Sequence, residues 1–328
     1  MGLKTQTIKV NNPILRHRER TVDNVKRLYA FILSLSFTNT LREIFDTAHG
    51  ALKDPTKLPG LGGMLGLDFA LFGVFLFTAA IYYFHSDKFL DIRYALPIPG
   101  APVNDPEKEV VVIDWRPGQF GWDYLTLLMT LIPFAVMSFT LDPELVERFG
   151  FMPFYATYVV LVQFSVGVIV VGAIWRLIGD IRRCMSGEAD EQPTYEDLRY
   201  SALNVHWVLI DSVAILVLQL FFWIDQTGAA LCGPLKPGAG AYFVVLFLIV
   251  ATLRNLSDYV SVWPFLYLSG DGTGAIRRSW SMRILVRANL ETRGLAKPFV
   301  AILYLISLWV TWTQLCRPLF DLANYCHP

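Results

Sequence analysis

Charged side chains are scarce in this sequence. They make up 17% of its 328 residues, where soluble domains carry about 25%. That shortage excludes a chain whose surface faces water on all sides. Positive charge is not in surplus either: 28 Lys and Arg balance 28 Asp and Glu. No nucleic-acid partner is expected from that balance. Cysteine is sparse, and Cys184, Cys232, Cys316 and Cys326 form no CxxC pair, so no zinc or disulfide framework follows. The sequence has no HExxH, GxSxG, Walker or CxxCH motif, and its five histidines are dispersed. No catalytic residue, cofactor or metal is therefore expected.

What is there is apolar. Hydrophobic residues make up 54% and aromatics 14%, with a mean hydropathy of +0.43. A membrane helix needs ~20 mostly apolar residues to cross ~30 Å of hydrocarbon. The expected spans are 27–47, 67–84, 122–141, 154–175, 202–224, 241–262 and 298–315. The third contains Pro133, which membrane helices tolerate. The fold class expected is an all-α, multi-pass transmembrane bundle of about seven spans with a cytoplasmic N-terminus. Its parts are a basic arm (1–26), a six-helix core (27–262), a basic cytoplasmic linker (263–297), and a seventh span with an outer tail (298–328). VVVIDW, between the second and third spans, has the composition of a short strand.

Charge distribution tests this topology through the cytoplasmic excess of Lys and Arg. With the N-terminus inside, the segments 3–27, 86–119, 176–200 and 254–297 hold 22 of the 28 Lys and Arg, and the outer side holds six. If 27–46 did not cross, every later span would invert and the bias would reverse. The distribution assigns the chain to a cell membrane, with a bacterial inner membrane as the expected setting. Cys232, Cys316 and Cys326 then lie on the outer side, where a disulfide or free thiols are both compatible with the sequence.

Polar residues inside spans are where function is expected. On a 3.6-residue period, Ser36, Asn39, Glu43 and Asp46 fall near one face of the first span, with Thr38 nearby. Such a stripe packs on neighbouring helices or lines a pore. Arg42 and Asp46 form an i,i+4 pair that neutralises part of it. Asp211 lies about 13 Å into the fifth span at ~1.5 Å per residue. Arg254 lies at comparable depth in the sixth, so an Asp211–Arg254 contact is expected, either as a structural pair or as an ion or proton site. Arg254 with Asp258 at i,i+4 is a competing local pairing. His85 and His206 lie near the inner interface and read as structural. GDGTG precedes Arg277 and Arg278, and a basic amphipathic helix (280–290) follows with Arg283. These three arginines are expected to contact lipid phosphate on the inner leaflet.

RLYAF at Arg27–Phe31, YYFH at Tyr82–His85, and LIPF ending in Pro133–Phe134 carry a resemblance. They resemble the endolysosomal potassium/proton channel family and its bacterial six-helix relatives over roughly residues 27–260. The family's signature Ser-Asp positions hold Ile32 and Leu33 here. The resemblance implies an oligomeric cation channel whose first helix lines the path. The expected pore residues are then Ser36, Thr38, Asn39, Glu43 and Asp46, and the partners are membrane lipid, a monovalent cation and further copies of the chain. The alternatives are a non-conducting scaffold and a secondary transporter using Asp211, although no inverted repeat is visible.

Overall fold

The computed structural model describes residues 5–9, 13–53, 58–90, 94, 109–113, 117–141, 151–185, 195–224, 239–267 and 296–316. Among them seven long helices form: α1 (Pro13–Lys53), α2 (Leu58–Leu90), α3 (Pro117–Phe139), α4 (Met152–Met185), α5 (Tyr195–Ile224), α6 (Ala239–Tyr267) and α7 (Ala296–Thr311). The last ends in a π-helical turn, Trp312–Cys316. Two strands, β1 (Thr5–Lys9) and β2 (Glu109–Ile113), pair antiparallel with Thr5 opposite Ile113. The architecture is thus a helical bundle with one small ribbon. The VVVI stretch does form a strand, and its partner comes from the segment read as a free basic arm.

Five helices contain a stretch long and apolar enough to cross a membrane: Gly66–Asp87, Phe120–Phe139, Met152–Gly172, Asn204–Phe222 and Tyr242–Tyr259. The apolar part of α7, Pro298–Gln314, is shorter. The outward faces of these helices carry many apolar side chains. Leu76, Ile132, Val136, Val160, Leu220, Val245, Ile249, Ile302 and Leu305 are all exposed. An exposed apolar surface of that extent fits hydrocarbon rather than water.

Three pairs of neighbouring helices are antiparallel, and contacts along their length fix this. Between α1 and α2, Lys26 pairs with Asp87 at 2.9 Å. Tyr29 meets Tyr83 with ring centroids 6.2 Å apart, and Phe37 meets Phe75 at 5.3 Å. The two helices are therefore antiparallel, and α1 from Lys26 to Phe37 lies beside α2 from Asp87 back to Phe75. Asp211–Arg254 and Phe222–Phe243 make α5 and α6 antiparallel in the same way. Gln163 donates to Ser307 (3.1 Å) and Thr311 (3.2 Å), while Gly167 faces Tyr304, so α4 and α7 are antiparallel too. A Cβ on Gly167 would stand 2.8 Å from the Tyr304 hydroxyl, so the absent side chain permits this close approach.

The sequence boundary at residue 26 falls inside α1. Val22 is fully buried with Leu90 and Tyr94, and Arg18 is buried as well. This apolar anchor extends the helix back to Pro13, whose fixed φ and missing N–H suit a first helical position. Of the segment 263–297, only 263–267 (the end of α6) and 296–297 are described. The main core joins α1 to α6, with Phe75, Phe134, Tyr155, Leu161, Leu218 and Phe247 fully enclosed.

Candidate functional site

An ionised side chain in a membrane interior costs about 2.5–3.5 kcal/mol on insertion scales, so it needs a partner or a purpose. The last turns of the apolar stretch of α6 place Arg254, Asn255 and Asp258 on its inward face, because i and i+4 share a side of a helix. Arg254 is 4% exposed, Asp211 on α5 is 3% exposed, and Asp258 is 1% exposed. The Arg254 Nε donates to Asp211 Oδ1 at 2.7 Å, and Nη2 donates to Oδ2 at 3.1 Å. This two-pronged geometry is the strong form of a guanidinium–carboxylate pair. Nη2 also stands 3.6 Å from Asp258 Oδ2. The two pairings weighed from the sequence are both present, with Asp211 holding the shorter contacts.

Helix α2 supports the guanidinium from a third side. Nη1 donates to Asn255 Oδ1 at 3.0 Å, and Asn255 Nδ2 donates to Thr78 Oγ1 at 2.9 Å. The Arg254 carbon lies 5.4 Å from the centre of the Tyr82 ring, within cation–π range. Nη2 approaches the Tyr82 hydroxyl at 3.5 Å. One turn on, the His85 ring lies 4.9 Å from the Trp207 ring. On the far side of Asp258, His206 Nε2 is 4.0 Å from Asp258 Oδ1. That separation is too long for a hydrogen bond. Both atoms are buried, and neither has a hydrogen-bond partner.

The sum of charge is the chemically informative feature. Two buried carboxyl groups face one guanidinium, so with both ionised the cluster would carry one negative charge more than Arg254 balances. A proton or a bound cation at the Asp258–His206 gap would neutralise it. Among the described residues no group of three or more His, Cys, Asp or Glu is arranged to hold a metal ion.

The stripe on α1 divides. Its buried face is Val22, Tyr29, Leu33, Ser36, Thr40 and Ile44, a 3-and-4 spacing that packs on α2 and α3. Ser36 and Thr40 are on that face, and each hydroxyl donates to the carbonyl four residues back, at 3.3 and 3.0 Å. Thr38 is exposed on the opposite side and likewise bonds its own backbone. Asn39 and Glu43 flank the buried face; the Asn39 amide nitrogen is buried without a hydrogen-bond partner. Asp46 is exposed and accepts from Arg42 Nε at 3.4 Å, a surface pair of small energetic weight. In one chain, then, these five residues do not share a single open face. Arg277, Arg278 and Arg283 lie outside the described residues, as do Cys232, Cys326 and the whole of the expected 280–290 helix.

No family model, curated protein or solved structure matches this chain. The chemistry of the cluster follows from its own atoms. The sequence reading missed Thr78, Tyr82 and Asn255 as members. Thr78 and Tyr82 are an i,i+4 pair in the apolar middle of α2, which was the available signal. The Gln163–Ser307–Thr311 set between α4 and α7 was missed for the same reason: single polar residues in spans look like isolated exceptions until a partner helix is placed.

Proposed function

We propose that this chain is a seven-span integral protein of a cell membrane, with its N-terminus cytoplasmic, that moves a monovalent cation by way of the α5–α6 cluster. The observation that carries the reading is the buried pair of carboxylates, Asp211 and Asp258, held against one guanidinium inside the apolar belt. Arg254 and Asp211 form the fixed frame, and Asp258 supplies the charge that a passing cation meets. Asp211 keeps Arg254 from neutralising Asp258 fully. Membrane proteins that conduct or couple ions place such groups toward the bundle interior.

What supports the topology is the antiparallel pairing of α1 with α2 and of α5 with α6, together with the charge count. Helix α1 lies antiparallel beside Phe75–Asp87 of α2, which supports a crossing although α1 carries more charge than the other spans. A labelling experiment checks it. In a background with the native cysteines changed to serine, Lys53→Cys is expected to react with a membrane-impermeant maleimide on intact cells. Met185→Cys is expected to react only after permeabilisation. The reverse pattern would invert the topology.

Transport is tested with the purified chain in proteoliposomes. Potential-driven uptake is followed for a panel of protons, Na+, K+ and methylammonium. Uptake of at least one is expected, and Asp258→Asn is expected to reduce it about tenfold or more, the effect of a lost interaction of ~1.4 kcal/mol or greater. This substitution leaves the Asp211–Arg254 pair in place. A wild-type protein that passes none of the panel ends the reading.

A second reading, an oligomeric pore along α1, is favoured by one observation. Leu28, Phe31, Leu35 and Phe45 form an exposed face on α1, with Thr38 among them. Further copies of the chain meeting around that face would enclose a narrow, largely apolar path, in keeping with the resemblance at Arg27 and Phe31.

A further inference from the structure

Asp258 Oδ1 and His206 Nε2 face each other at 4.0 Å, both buried and neither with a hydrogen-bond partner. Asp258 Oδ2 meets Arg254 Nη2 only at 3.6 Å, beyond hydrogen-bond length. The short bonds of that guanidinium go to Asp211 and Asn255. The Asp258 carboxyl group is therefore buried with no hydrogen bond among the described residues. A buried carboxyl left without a close partner avoids the cost of its charge by keeping a proton. A neutral imidazole has one ring nitrogen without hydrogen, which accepts a hydrogen bond. One proton between the two orphan atoms satisfies both.

We infer that Asp258 and His206 form a proton-binding site, with the proton on Asp258 Oδ1 and donated in a hydrogen bond to His206 Nε2. This names the proton as the cation of the proposed transport, and it rests on that reading only for what the bound proton does. The proton comes from water, forms the Oδ1–H bond, and returns to water when that bond breaks. His206 stays neutral, with its own hydrogen on Nδ1. The two atoms draw together by about 1 Å to reach an ordinary hydrogen-bond distance. The donor set selects the proton over larger cations. An alkali ion in a protein replaces its hydration shell with a ring of oxygens, whereas here one carboxyl oxygen faces one ring nitrogen.

Position supports the same assignment. Asp258 is one residue from the end of the apolar stretch Tyr242–Tyr259, and His206 is two residues from the start of Asn204–Phe222. The pair thus lies within a helical turn of the end of both stretches, on the side that the charge count makes cytoplasmic. The titratable and charged groups around Asp258 are Tyr82 and His85 on α2, Tyr158 on α4, Asp211 and His206 on α5, and Arg254 on its own helix. Asp211 and Asp258 share the single guanidinium of Arg254, so a proton on Asp258 leaves the cluster neutral.

The test uses the full-length protein in lipid nanodiscs. Infrared difference spectra between neutral and alkaline pH are expected to show a protonated-carboxyl band at neutral pH, where an ordinary aspartate is ionised. That band is expected to vanish in Asp258→Asn and to remain in Asp68→Asn, at the opposite end of the apolar stretch of α2. Nitrogen NMR of histidine-labelled protein is expected to show His206, assigned by its loss in His206→Gln, as a neutral ring with no hydrogen on Nε2. Asp258→Glu keeps the test decisive if Asp258→Asn folds poorly. With isotope-labelled aspartate the wild-type band shifts, and the band of this variant, now a glutamate's, does not. No protonated-carboxyl band, a band that survives Asp258→Asn, or a doubly protonated His206 ring would each overturn the proposal. The band without uptake of any panel cation would leave the site standing and sink the transport reading. Uptake of Na+ or K+ with no band would do the opposite.

Discussion

Arg254→Leu is expected to destabilise the bundle by about 3 kcal/mol or more, the range found when one partner of a buried ion pair is removed. The cost comes from what stays behind. Asp211 and Asp258 would remain buried at 3% and 1% exposure, with no cation between them. Asn255 and Thr78 would lose the acceptor–donor chain that begins at Arg254 Nη1. The lower end of the range is the right expectation, because a chain unfolded within the bilayer also finds partners for its polar groups. Asp211→Asn should cost less. The amide still accepts one N–H from Arg254, and Asp258 at 3.6 Å remains as counter-charge. Thermal unfolding of the detergent-solubilised protein checks the order, with Arg254→Leu lowest, Asp211→Asn between and wild type highest. An Arg254→Leu protein as stable as wild type would mean the cluster does not help hold α5 to α6.

The second large effect is expected at Tyr155, and its sign depends on the replacement. Tyr155 is fully buried where α4, α5 and α6 meet. Its ring stacks on Phe222 at 5.7 Å and meets Phe243 at 5.1 Å and Phe247 at 6.0 Å in edge contacts. Truncation to alanine should cost about 3 kcal/mol, toward the lower end of large aromatic deletions. Lipid tails are as apolar as the core, so the loss is one of packing contacts rather than of burial from water. Tyr155→Phe is expected to be neutral or to stabilise by up to about 1 kcal/mol. The Tyr155 hydroxyl is buried with no hydrogen-bond partner, and an unsatisfied buried polar group carries a penalty of that order. Parallel unfolding curves for the two variants check the prediction. Tyr155→Phe as damaging as Tyr155→Ala would assign the hydroxyl a role that packing does not explain.

Several features of the molecule were legible before any coordinates. The membrane class followed from long apolar runs, because a 30 Å apolar slab leaves few other uses for them. Each expected span lies within or nearly within one of the seven helices. Asp211 and Arg254 were legible as a pair, since two opposite charges at similar depth in consecutive spans have a strong reason to meet. The strand at VVVI was legible from β-branched composition, but its partner was not. Antiparallel pairing with Thr5–Lys9 joins segments about a hundred residues apart, and no local pattern encodes that distance.

Tertiary structure alone decided which faces meet. The 3.6-residue period puts Ser36, Asn39 and Glu43 near one side of α1 but does not say what that side touches. Packing on α2 and α3 takes Ser36 inward and leaves Thr38 outward, because Tyr29, Leu33 and Ile44 sit on the same inner stripe. The same is true of the cluster. Arg254 and Asp258 are one helical turn apart in any α6, and sequence supplies both. Only the placement of α5 gives Arg254 the doubly bonded Asp211, and only the placement of α2 brings Thr78 to Asn255 and Tyr82 to Arg254. Apolar length is a property of each segment taken singly, so sequence determines that the chain forms helices long and apolar enough to cross a membrane. The ionic cluster needs α5 and α6 in register and α2 beside them, so the fold determines that its members meet.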